Sequence, residues 1–168
     1  APPCPEGASR VAIVMRGEAF RWGCSVAAIA HQLRAVHSHV ALAERLEALA
    51  TAAHAPPACA RFYVAVDDRA PCGAVAVGAL LRAFGGRLAA SRVLATPPAD
   101  QGAGAKAAMS ILGAAVESKA TLRAHATLVL SRLDVTLRSA ASAPWGCAPG
   151  TLCVASKCEQ AAWQSYRC

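Results

Sequence analysis

The stretch Ala126-Thr-Leu-Val-Leu-Ser-Arg-Leu-Asp-Val-Thr-Leu137 decides how the rest of the chain is read. From Ala126 to Leu130 it is an unbroken apolar run, as expected of a strand covered on both faces within a parallel sheet. It then turns polar. Ser131, Arg132 and Asp134 follow where such a strand would emerge at its C-terminal end, the edge at which open α/β sheets place their ligands.

Working outward, the same strand-then-polar arrangement occurs twice more. Val11-Ala-Ile-Val-Met15 reads as a short buried strand broken by Arg16-Gly17-Glu18, with Phe20 and Arg21 just beyond. Arg61-Phe-Tyr-Val-Ala-Val66 reads as a second strand closed by Asp67 and Asp68. Ser91-Arg-Val-Leu-Ala95 is a shorter third candidate. Between them lie helical patterns. From Cys24 to about Ala53, Val26, Ile29, Leu33, Val36, Val40, Leu42, Leu46 and Leu49 fall mostly at helical spacing, as one long helix or as two that part near His37-Ser38-His39. Pro56-Pro57 closes that region, Gly73 to Phe84 forms a second helix ending at Gly85-Gly86, and Lys106 to Val116 forms a third. Pro97-Pro98 and Gln101-Gly-Ala-Gly104 read as loop. Alternating strands and helices imply a three-layer α/β sandwich with a mainly parallel sheet and right-handed crossovers.

Length and composition agree with one domain: 168 residues with 55% apolar content support a single core. Aromatics supply only 5% and alanine dominates, so the core is expected to be thin. No apolar run reaches the roughly 18 residues a membrane-spanning helix needs. Residues 1–143 are expected to form the α/β domain, with residues 1–10 an extended arm tethered by Cys4. Residues 144–168, which hold four cysteines, are expected to form a stapled cap packed on it.

The eight cysteines, with the start at Ala1, favour disulfides in a mature secretory-pathway, lumenal or extracellular protein, whose pairing the spacing leaves open. Zinc is disfavoured because no Cys-x-x-Cys exists and no histidine lies among the C-terminal cysteines. The absence of asparagine excludes N-linked glycosylation. The +7 charge is dispersed and lacks a basic stripe, so nucleic acid is not an expected partner. The five histidines read as ordinary surface or partly buried residues. Gln101-Gly-Ala-Gly-Ala-Lys106 lacks the spacing and hydroxyl of a phosphate loop, and Ser131 lacks a nucleophile elbow.

Taken in order, Val11 to Arg21, Tyr63-Val-Ala-Val-Asp67-Asp68 and Leu128-Val-Leu-Ser-Arg132-Leu-Asp134-Val135 resemble secreted or Golgi-type glycosyltransferase-like proteins of algae and protists, over the chain up to about Leu137. The resemblance implies a Rossmann-like, GT-A-like fold binding a nucleotide-sugar donor and serving a glycan acceptor. Arg16 and Gly17 match the loop that would lie against the nucleotide, and Asp134 matches a metal- or ribose-facing acid. Arg21, Asp67, Asp68 and Arg132 would join the donor site. Mn²⁺ or Mg²⁺ would neutralise the diphosphate. No Asp-x-Asp is present, the acceptor-binding half is not matched, and no residue is singled out as catalytic. The alternative is a non-catalytic, cofactor-free accessory subunit or binding module, docked onto a larger protein assembly, whether or not that assembly is membrane-associated.

Overall fold

A computed structural model describes residues 3–52, 57–67, 72–96, 98–115, 125–137, 153–154, 159–160 and 166–167. The elements run β1 (Ser9–Glu18), α1 (Val26–Ala52), β2 (Ala58–Asp67), α2 (Gly73–Arg82), β3 (Leu88–Leu94), α3 (Gln101–Ala115), β4 (His125–Arg132), and the two-residue strands β5 (Cys153–Val154), β6 (Glu159–Gln160) and β7 (Tyr166–Arg167). The sheet has the order β3-β2-β1-β4-β5, and every pairing in it is parallel. Strands β6 and β7 form a separate antiparallel pair. The architecture is α/β. The expected cap lies outside the described residues apart from these three short strands.

Alternation along the strands explains where the core sits. Ile13 and Met15 of β1 and Phe62, Val64 and Val66 of β2 join one cluster, together with Val36 of α1 and Val77 and Leu80 of α2. Ala12 and Val14, with Tyr63 and Ala65, join a second cluster with Ala108, Ile111 and Leu112 of α3. Every residue from Val11 to Met15 is buried, so the central strand shows no polar alternation. Phe62 and Phe84 pack with ring centroids 4.9 Å apart, within the range favoured by aromatic pairs. Many of the remaining buried positions are alanines, which supply close approach rather than bulk.

One local alternative is decided and two local expectations are corrected. Of the two forms open for the first helical region, the single long helix is the one present: α1 is continuous through His37-Ser38-His39. His39 is fully buried there, and its Nδ1–H donates to the Ala35 carbonyl one turn back at 2.8 Å, so its polar group is satisfied within the helix. Residues Gln101 to Gly104 are the first turn of α3 rather than a loop. Asp100 is the reason: its Oδ1 accepts from the Ala103 N–H at 2.7 Å and its carbonyl from the Gly104 N–H at 3.1 Å, an N-cap that offsets two glycines. Strand β3 begins at Leu88, earlier than expected, after a 3₁₀ turn over Gly85–Arg87 in which Gly85 holds φ +58°.

Among the described residues, two disulfides staple opposite edges of the sheet. Cys4–Cys59 ties the N-terminal arm to the start of β2. Cys24–Cys72 joins the segment before α1 to the residue before α2, at the C-terminal edge.

Candidate functional site

The chain runs outward from β1 through β2 to β3, then crosses back to place β4 on the other side of β1. At that reversal the connections leaving β1 and β4 diverge, and a crevice opens beyond their C-terminal ends. An open cleft of about 270 Å³ lies there, lined by residues that include Arg16, Gly17, Glu18, Arg21, Asp67, Asp100, Gly104, Arg132 and Asp134. Six of the seven residues singled out from sequence, Arg16, Gly17, Arg21, Asp67, Arg132 and Asp134, therefore line one cleft. Asp68 lies outside the described residues.

Arg132 and Asp134 form its fixed centre. The Arg132 Nε–H donates to Asp134 Oδ1 at 2.9 Å and Nη2 donates to Oδ2 at 2.6 Å, a fork across a two-residue separation. Arg21 approaches the same Oδ2 at 3.8 Å. Burial alone would raise the Asp134 pKa, but hydrogen bonding to Arg132 and the charges of Arg132 and Arg21 outweigh it and hold the carboxyl below its usual range. The same fork raises the pKa of Arg132. Arg16 is pushed the other way, first by burial and then by the like charge of Arg132.

The backbone beneath these side chains is held by a buried amide. Gln32 of α1 is 1% exposed; its Oε1 accepts from the Phe20 N–H at 3.3 Å, and its Nε2 donates to the Leu133 carbonyl. One side chain thus clips the turn after β1 to the turn after β4. The Leu133 N–H in turn donates to the Arg16 carbonyl at 2.9 Å. Gly17, at φ +149°, sits where a Cβ would come within 3.4 Å of Leu133, so this crossing favours glycine. Gly104 plays a related part, since a Cβ there would meet Arg16 Nη1 at 3.2 Å and Cδ at 3.4 Å.

Ser131 is not part of the cleft, contrary to the grouping read from sequence. Its side chain turns to the other face of β4 and its hydroxyl donates to His39 Nε2 at 2.7 Å. Because the Ala35 carbonyl can only accept, His39 Nδ1 carries the hydrogen and Nε2 is the acceptor. Burial lowers the His39 pKa, more than the Ala35 hydrogen bond raises it. His39 is thus a buried structural histidine rather than an ordinary surface or partly buried one.

Sequence reasoning missed Asp100 and Gly104 as cleft residues, because it placed them in a loop. The signal available was an Asp directly before a helical run. Among the described residues, no group of three or more His, Cys, Asp or Glu side chains could hold a metal ion, and no helix is long and apolar enough to cross a membrane. Fold and site together define an α/β domain with a mixed arginine and carboxylate cleft at the switch point of a parallel sheet. Compared with family models, curated proteins and solved structures, the chain matches none.

Proposed function

We propose that the chain is a glycosyltransferase-like domain, a three-layer and Rossmann-like sandwich whose switch-point cleft receives the diphosphate of a nucleotide sugar. The observation that carries this reading is the convergence of Arg16, Arg21 and Arg132 on one cleft at the C-terminal edge of a parallel sheet. Arg16 and Arg132 are partly desolvated and close enough for their like charges to oppose each other, a strain that a bound anion relieves. The fork to Asp134 uses Arg132 Nε and Nη2 and leaves Nη1 outside it, so Arg132 keeps donors for a phosphate oxygen. Asp134 holds the Arg132 plane in place. Asp67 and Glu18 are acceptors suited to ribose or sugar hydroxyls on the same rim.

The residues fit Mn²⁺ or Mg²⁺ poorly. Both Asp134 oxygens are engaged by Arg132, so an ion would have to displace a charge-assisted pair to bind there. The guanidinium groups of Arg16, Arg21 and Arg132 supply the positive charge.

Two disulfides among the described residues fit a secreted or lumenal setting. Isothermal titration with UDP, GDP and their sugar conjugates, with and without EDTA, tests the proposal. Binding that survives EDTA and falls at least tenfold in Arg132→Gln supports it. Absence of binding to every nucleotide removes it and leaves the accessory-subunit reading, for which a partner retained through purification is the corresponding sign.

A further inference from the structure

Trp22 is 65% exposed and follows directly on Arg21, which lines the cleft. It lies in a tight turn in which the Gly23 N–H donates to the Phe20 carbonyl at 2.8 Å. Phe20 on one side is buried at 3% exposure and holds φ +57°, a left-handed conformation that a non-glycine residue keeps only where its surroundings impose it. Gly23 on the other side holds φ +95°, and Cys24 next to it is tied to Cys72. Ser25 then caps α1, its Oγ accepting from the Ala28 N–H at 3.2 Å. The backbone that carries the indole is thereby anchored between a core residue and a disulfide. Its neighbour Arg21 lines the cleft, and the Arg21 guanidinium carbon stands 5.8 Å from the indole centroid.

An exposed aromatic on an anchored turn beside a cleft presents a large apolar face, and its N–H remains a donor at the edge. The adjoining groups decide what fits that face. Arg21 and Glu18 set guanidinium donors beside a carboxylate acceptor, the pairing that neighbouring hydroxyls satisfy by accepting from one and donating to the other. A ring with an apolar C–H face and a hydroxylated edge matches both halves.

We propose that Trp22 is the stacking platform of a second subsite, which takes a neutral pyranose ring of the glycan acceptor, with Arg21 and Glu18 meeting its hydroxyls. The subsite extends the nucleotide-sugar reading to its other substrate and rests on that reading for the acceptor role. Its physical content is carbohydrate binding by Trp22.

Saturation-transfer difference NMR with methyl β-D-glucopyranoside, methyl β-D-galactopyranoside and methyl α-D-mannopyranoside tests it on wild type, Trp22→Ala and Trp22→Phe, each with and without UDP or GDP. At least one glycoside is expected to show transfer centred on its ring C–H protons. That signal should fall at least fivefold in Trp22→Ala and recover in part in Trp22→Phe. Because Trp22 is exposed, Trp22→Ala should keep the circular dichroism of the wild type. Nucleotide affinity, titrated in parallel, should change less than twofold. Glycoside signals equal in wild type and Trp22→Ala, or absent for all three sugars under every condition, overturn the subsite. A drop in nucleotide affinity in Trp22→Ala also overturns it, since the indole would then stack on a base. Concentration-dependent dimerisation abolished by Trp22→Ala, without any glycoside signal, overturns it in favour of self-association. Glycoside binding through Trp22 in a protein that binds no nucleotide would instead uphold the subsite and refute the donor-site proposal alone.

Discussion

Replacing Gln32 by leucine removes the clip between the two turns that carry the cleft. The side chain is 1% exposed and serves two backbone groups, the Phe20 N–H and the Leu133 carbonyl. Leucine has nearly the same volume but no polar atoms, so both groups would stay buried without this partner. An unsatisfied buried backbone group costs about 1–3 kcal/mol, and two give about 2–6 kcal/mol. The Phe20 contact is 3.3 Å long, which favours the lower half, about 2–4 kcal/mol. That is a large share of the roughly 5–15 kcal/mol typical of a domain. For a chain of this size it lowers the melting temperature by roughly 4–16 °C. Urea denaturation of the disulfide-intact protein measures it: the midpoint should fall while the slope stays constant. Nucleotide binding should weaken beyond what instability explains, because Arg21 and Asp134 sit just past Phe20 and Leu133. A loss below about 1 kcal/mol, or unchanged cleft affinity in the folded variant, would refute the clip.

Further outcomes follow from the same geometry. Gly104→Val should lower nucleotide affinity several-fold in titration while changing stability little, since its Cβ would displace the Arg16 side chain. Cys24→Ser with Cys72→Ser opens a crosslink of sequence separation 48 and should cost up to about 4 kcal/mol in thermal unfolding, with Trp22 emission changing as its turn loosens. Stability should be full above pH 6.5 and fall below it, because unfolded His39 takes up a proton near its ordinary value of 6.5 while the folded residue resists. His39→Gln should flatten that limb in pH-dependent denaturation. A second loss, as pH falls through and below the ordinary carboxylate range, reflects the depressed Asp134 pKa and should be absent in Asp134→Asn.

The parallel sheet was legible because β1, β2 and β4 are continuous apolar runs, each followed at once by charge. Placing those strand ends on one edge then brought Arg16, Asp67 and Arg132 together without any tertiary information. The edge strand β3 was harder to bound. Its start at Leu88 depends on pairing with Phe62 and a turn through Gly85, neither of which leaves a periodic trace. The start of α3 was hidden by two glycines, whose low helix propensity is overridden by the Asp100 cap. Ser131 and Arg132 are adjacent in a strand, so their side chains point to opposite faces, and grouping them in one site ignored the period of two. Gln32 gave no signal at all. A glutamine on a helix reads as surface until the loops it bridges are seen to close over it.

The most direct test is a ¹H–¹⁵N correlation spectrum of the labelled protein titrated with UDP- and GDP-sugars. Shifts concentrated in Arg16 to Trp22, Asp100 to Gly104 and Arg132 to Asp134, and abolished by Arg132→Gln, are the result expected of a phosphate-receiving cleft at the β1–β4 divergence. Shifts confined to other surfaces, or none with any nucleotide sugar at millimolar concentration, would contradict it.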